Sequence, residues 1–198
     1  NTNILRIYNP FDLDEIRSLA GEIPGNLPQD RFVVHIGRYV PQKRHDLLLQ
    51  AWAMAALPHK LVLLTSQSPA LDGLIAAAGV AGSVIVAGFQ QNPYPWMRAA
   101  DALVLSSDHE GLPNVLIEAL ICGTRIVSTD CPSGPREIMA GDLARFLVPP
   151  GDARALAAAL RAAVSDPMPL VDADLARFSA DKVAQAYEGL PACWREPG

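Results

Sequence analysis

The chain has 198 residues, 50% hydrophobic and 19% charged, with a net charge of −5. That is the make-up of an ordinary globular domain with a sizeable core, not of a disordered tail, a collagen or a disulfide scaffold. The negative balance argues against a nucleic-acid partner, which is gripped by basic faces, and no apolar run approaches the roughly 20 residues that cross a bilayer. Cys122, Cys131 and Cys193 lack metal-ligand spacing and suit a reducing compartment. The first residue is Asn1, and Asn1 to Ile4 is no signal peptide. The expectation is a piece of something longer.

In chain order, Asp12-x-x-Glu15 reads as a helix N-cap with a reciprocal carboxylate, and Asp12-x-Asp14 as part of that cap rather than as a metal pair. A Gly- and Pro-rich loop follows from Gly21 to Pro28. Apolar runs then recur at Phe32–Ile36, Leu61–Leu64, Ser83–Val86, Ala102–Leu105, Arg125–Ser128 and Arg145–Val148. They are continuous rather than alternating, as in strands covered on both faces. Helical stripes lie between them, with Leu47, Ala51, Met54 and Ala55 on one and Leu71, Leu74, Ile75 and Ala78 on another. Trp52, Met54, Leu57, Trp96 and Met97 read as core, and His35 as a satisfied core histidine. This alternation predicts an α/β fold, a Rossmann-like doubly wound parallel sheet of about six strands. The expected layout is an N-terminal segment with a helix over 1–30, the Rossmann-like domain over 31–165 and a helical extension over 166–198. Helices are expected over Asp152–Val164 and Ala180–Tyr187, the last ended by Pro191.

Ligands of such sheets bind beyond the carboxyl ends of the strands, and three loops there concentrate glycine, proline and charge. The first, from Gly37 to Lys43, has no dinucleotide or phosphate-loop fingerprint. Its Arg38 and Lys43 before a helix make either an anion site or a solvated basic helix start. In the second, Glu110 precedes Gly111-Leu112-Pro113-Asn114, with Pro113 at the first helical position. The helix that follows is apolar almost all round and stops at Gly123. Glu118 within it must face a polar cleft or a partner, because a buried carboxylate is costly. The third loop, Ser133-Gly134-Pro135, reads alone as a turn. His109 reads as an exposed loop residue, and Ser106 and Ser107 lack a nucleophile elbow.

Gly37-Arg38 with Lys43, Asn92-Pro93-Tyr94-Pro95, Ala100-Asp101, Glu110-Gly111-Leu112-Pro113-Asn114 through Glu118-Ala119, and Ser128 to Ile138 together resemble retaining, nucleotide-sugar-dependent glycosyltransferases of family four. Tyr8-Asn9-Pro10 resembles their interdomain linker, and Val148-Pro149-Pro150-Gly151-Asp152 extends the likeness. The resemblance implies one half of a GT-B two-domain enzyme, the C-terminal donor-binding domain, with the N-terminal acceptor-binding domain missing and the fragment alone inactive. It implies that Arg38 and Lys43 hold the donor diphosphate, Glu118 binds the ribose and Glu110 contacts the sugar. Gly37, Gly111, Leu112, Pro113 and Asn114 would line the donor site, and Gly88, Phe89 and Gln90 would frame the base.

Glu110, Arg38 and Lys43 are the expected catalytic residues. No metal or cofactor is expected; the substrate would be a nucleoside-diphosphate sugar, most readily a UDP-sugar, and the acceptor a glycan or lipid-linked saccharide. The implied location is the cytoplasm, with any membrane contact at the inner face and through the absent domain. Arg44 departs from the family, which usually has glycine there. Two alternatives remain open at this stage, a non-catalytic sugar-nucleotide-binding module and a related GT-B epimerase.

Overall fold

A computed structural model describes residues 7–166 and 175–190. Strands β1 (Phe32–Ile36), β2 (Lys60–Leu64), β3 (Val84–Val86), β4 (Ala102–Leu105), β5 (Arg125–Thr129) and β6 (Leu147–Val148) form one parallel sheet in the order β3-β2-β1-β4-β5-β6. His35 lies beside Leu63, and Val34 beside both Val62 and Leu103. Consecutive residues of β1 and β4 are buried, so both faces of the sheet are covered, which is why these runs do not alternate.

The covering helices are α1 (Leu13–Leu19), α2 (His45–Ala55), α3 (Pro69–Ala77), α4 (Tyr94–Ala99), α5 (Asn114–Ile121), α6 (Pro135–Ile138), α7 (Ala153–Ser165) and α8 (Ala180–Glu188). One group is α2 with α3 and α7; the other is α1, α4 and α5. Local chemistry starts several of them. Asp12 caps α1 by accepting from the Asp14 and Glu15 amides, and Asp152 caps α7 by accepting from Ala155 at 2.9 Å. In α5, Leu116, Ile117, Leu120 and Ile121 are all buried, each contributing roughly 1.5–3 kcal/mol. That anchors the helix carrying Glu118.

Several expectations are corrected. Glu15 does not return a bond to the Asp12 amide, so the α1 cap is one-sided, and Asp14 pairs with Arg17. Arg145 and Phe146 end a 3-10 turn (Gly141–Phe146) instead of starting β6. Phe146 is drawn into the core and Arg145 pairs with Asp166, leaving Leu147 and Val148 to pair with β5. Met54 is 42% exposed and Leu57 half-buried, because the buried stripe of α2 runs through Leu48, Trp52 and Ala55. Leu74 and Ala78 are likewise half-buried. Pro191 and Cys193 lie outside the described residues; α8 ends at Glu188 with Gly189 as its cap.

The described ends of the chain meet. The Phe11 amide donates to Phe178 at 2.9 Å and the Ala180 amide to Phe11 at 3.0 Å, while Tyr8 and Phe178 stack edge-to-face. Among the described residues no helix is long and apolar enough to cross a membrane. The strand order reverses between β1 and β4, and connections leaving such a switch point diverge and open a crevice at the carboxyl edge.

Candidate functional site

Side-chain and backbone bonds fasten the loop after β1 (residues 37–44) to the loop after β4 (residues 106–113). The Asp108 amide donates to the Gln42 carbonyl at 3.0 Å, Gln42 Nε2 to the His109 carbonyl at 2.7 Å, and Ser106 Oγ to the Lys43 carbonyl at 2.7 Å. The loop after β5 closes on the second from below. Gly134 has φ +91, and a Cβ there would sit 2.4 Å from both the Gly111 carbonyl oxygen and Pro113 Cδ. Only glycine satisfies both constraints, so the loop read as a plain turn is a support for residues 111–113.

These contacts bring Lys43 Nζ to 2.7 Å from Glu110 Oε1, with the two side chains only 17% and 11% exposed. The lysine stem crosses Gly37, where a Cβ would lie 3.3 Å from Lys43 Cε. Arg38 is exposed at the same sheet edge and has no side-chain partner among the described residues. Of the four side chains expected to converge, Lys43 and Glu110 touch, while Arg38 and Glu118 do not touch them.

The arrangement around the cations differs from a helix N-terminus. Lys43 ends a 3-10 turn (Pro41–Lys43), and Arg44, at φ 48 and ψ 52, separates it from α2. A non-glycine residue there costs about 1 kcal/mol. Ion pairs offset that cost: Arg44 reaches Asp46 at 2.9 Å and Asp108 at 2.9 Å. Its guanidinium is therefore committed to two carboxylates rather than to Lys43's neighbourhood. The solvated basic helix start is corrected as well, since His45 is 2% exposed.

Glu118 is half-buried in α5 and has no ion pair or side-chain hydrogen bond among the described residues. A salt bridge within the fold does not account for it. Burial pushes its carboxyl above the usual range. Its charge acts on Tyr94 at the start of α4, whose hydroxyl is pushed up first by burial and then by Glu118. Glu118 is therefore near enough to Tyr94 to be felt there, while Gly88, Phe89 and Gln90 lie in the connection between β3 and α4. Phe89 is 83% exposed, and Gln90 donates to the Ala87 carbonyl at 2.7 Å. Pro113 is the cap of α5 and Asn114 its first residue, one place later than expected. Asn114 is exposed and its Oδ1 accepts from Asn9 Nδ2 at 3.0 Å, while Gly111 is exposed and Leu112 half-buried.

His109 is exposed and Ser106 is used structurally. His35 is only half satisfied: Nδ1 meets Val104, but Nε2 has no partner. Cys131 is 3% exposed, its thiol pushed up by burial and then by Glu110. Among the described residues no cluster of three or more His, Cys, Asp or Glu could hold a metal ion. Sequence reasoning passed over Tyr39, His45 and the support role of Gly134. For Gly134, the Ser-Gly-Pro sequence was the available signal.

Residues 30–166 match the family described as Glycosyl transferases group 1. The chain belongs to that family. This group 1 glycosyl transferase chain is 35% identical over 144 residues to the Campylobacter jejuni N-acetylgalactosamine-N,N'-diacetylbacillosaminyl-diphospho-undecaprenol 4-alpha-N-acetylgalactosaminyltransferase, covering 72% of the chain and 39% of that relative. It is 36% identical over 137 residues to the Rhizobium meliloti lipopolysaccharide core biosynthesis glycosyltransferase LpsE, covering 68% and 39%. The chain therefore spans well under half the length of these relatives.

Among solved structures, the lipopolysaccharide outer core galactosyltransferase WaaB superposes with a TM-score of 0.76 at 24% identity, over 93% of this chain and 54% of that one. Anabaena HepE in complex with UDP gives 0.71 at 23%, over 92% and 52%. The fold is that of a family-four-like GT-B glycosyltransferase.

Proposed function

We propose that the chain is the C-terminal, donor-binding domain of a retaining glycosyltransferase that moves a hexose or N-acetylhexosamine from a UDP-sugar to a glycan or lipid-linked acceptor. The Lys43–Glu110 pair carries this assignment. A cation and an acid, both largely withdrawn from water, face each other at the crevice where open parallel sheets bind their ligands. The HepE structure with UDP supports the choice of nucleotide. The diphospho-undecaprenol and lipopolysaccharide-core names of the two relatives support the choice of acceptor.

In this mechanism Lys43 and exposed Arg38 take the charge that develops on the diphosphate as the glycosyl bond breaks. Preorganised cations are worth most where that charge appears, and here they act without a divalent metal. Glu110 accepts from a sugar hydroxyl, held in place by the loop that Gly134 supports. Glu118 accepts from the ribose hydroxyls, and exposed Phe89 lies along the base. Retention follows from attack on the face the diphosphate leaves, with no covalent nucleophile. The acceptor domain is supplied by the rest of the protein, and this chain alone binds donor without transferring sugar. The parent works in the cytoplasm, at the inner membrane face when its acceptor is lipid-linked.

Titration calorimetry with UDP and GDP tests the proposal. The expected result is heat with UDP, unchanged by EDTA. A folded protein that takes neither nucleotide overturns it.

A further inference from the structure

Three rings meet between β1, the loop after it and the start of α2. His45, the first residue of α2, meets His35 of β1 edge-on at 4.8 Å between centroids, and Tyr39 of the loop edge-on at 5.2 Å. His35 and His45 are 0% and 2% exposed. His35 Nδ1 is 2.9 Å from the Val104 carbonyl oxygen. A carbonyl can only accept, so Nδ1 carries the proton and Nε2 a lone pair. That Nε2 has no partner, and neither ring nitrogen of His45 has one. A Cβ at Gly37 would lie 3.6 Å from His35 Nε2 and 3.3 Å from Lys43 Cε, so the lone pair and the lysine stem flank the same glycine. Orphaned buried nitrogens are costly, and an aliphatic core would avoid them. Nothing in the donor-binding scheme uses these rings.

We propose that the Tyr39–His45–His35 stack positions Lys43: it holds the loop closed over residues 37–44, so that the stem stays across Gly37 and the ammonium reaches Glu110 or a diphosphate. His45 is the central residue, touching strand and loop at once. Because burial, and then the Lys43 charge, lowers the His45 pKa, its ring is uncharged near neutral pH and does not repel the lysine. Tyr39 and His35 clamp it from either side. The stack acts through Lys43 and is a positioning element, not a catalytic one. The inference rests on Lys43 as the diphosphate ligand, but the placement of its side chain is measurable without nucleotide.

Lys43, Lys60 and Lys182 are the only lysines in the sequence, so reductive dimethylation followed by peptide mass spectrometry reads each amine separately. The variants are His45→Ala, His45→Phe and, at the half-buried end of the stack, Tyr39→Leu, which keeps the test open should His45→Ala fail to fold. In His45→Ala and Tyr39→Leu, labelling of Lys43 relative to Lys60 and Lys182 is expected to rise about fivefold, and UDP binding to weaken about tenfold. His45→Phe, which keeps a ring, is expected to restore both. A merely structural role would lower the melting temperature and leave the ratio of lysine rates unchanged. A Lys43 ratio within about twofold of wild type in a folded variant overturns the inference. If wild type takes no UDP but the Lys43 ratio responds, the positioning role stands and the diphosphate role falls.

Discussion

Lys43 Nζ and Glu110 Oε1 lie 2.7 Å apart although 67 residues separate them in the chain. The pair joins the two strands at which the sheet reverses its order, and it is mostly shielded from water. Without a donor, each group is the other's counter-ion. Under the proposed function, an arriving diphosphate would exchange one anion for another at Lys43 and release the Glu110 carboxylate toward the sugar. Breaking such a pair from one side leaves an uncompensated charge. Lys43→Ala is expected to weaken UDP binding tenfold or more (about 1.4 kcal/mol) and nucleoside binding much less, by calorimetry. Chemical denaturation should find the Lys43→Ala, Glu110→Gln double variant more stable than Lys43→Ala alone, because the stranded carboxylate is gone. Additive losses would mean that the pair is not coupled.

Glu118 sits half-buried without a partner among the described residues, and burial raises its carboxyl. For an acid with a raised folded pKa, the folded state holds its proton more tightly than the unfolded chain does. Stability is therefore lost as pH rises above the unfolded value. Glu118→Gln removes that cost and is expected to stabilise the chain at neutral pH by about 0.5–1 kcal/mol, while UDP binding weakens. Thermal melts and calorimetry on one preparation check both signs. A variant that is less stable and binds UDP normally would assign Glu118 to the fold instead.

A Cβ at position 134 would collide with the Gly111 carbonyl oxygen and with Pro113, at a φ that L side chains resist. Gly134→Ala is expected to cost about 2 kcal/mol or more in urea unfolding. Because the displaced residues are the expected sugar loop, the variant should lose more affinity for a UDP-sugar than for UDP. Equal losses for the two ligands would remove the loop's support role.

The buried imidazoles make the fold sensitive to acid. Burial lowers His45 to about 4 and, with the charge of His45 next, lowers His35 to about 3, from 6.5. Between these values and 6.5 the unfolded chain binds more protons than the folded one, so stability increases with pH and is complete above 6.5. Each histidine contributes a slope of up to about 1.4 kcal/mol per pH unit. Lys43 and Asp46 face His45 with opposite charges, and Lys43 also opposes a charge on His35. Denaturation across pH 4 to 7 is expected to give a shallower slope for His45→Gln than for wild type. Identical slopes would mean that His45 is not held neutral.

By itself the sequence determined the layers and the edge at which chemistry gathers. Phe32–Ile36 and Ala102–Leu105 are continuous apolar runs between helical stripes, and burial on two faces leaves that pattern wherever the partners lie. The loops around Lys43 and Glu110 were legible for a related reason, since glycine, proline and close-set charge do not belong inside strands. Only the tertiary structure decided which of these groups meet. Arg38 and Lys43 look equivalent in the chain, yet Lys43 finds Glu110 while Arg38 stays in the open. Arg44, which stands where the family usually has glycine, is bound by Asp46 and by Asp108 from the second loop. The support of Gly134 under Gly111 and the placing of His45 between His35 and Tyr39 were likewise invisible. Strand and helix patterns come from near neighbours in the chain, whereas these contacts depend on the order in which strands line up, which one-dimensional periodicity does not encode.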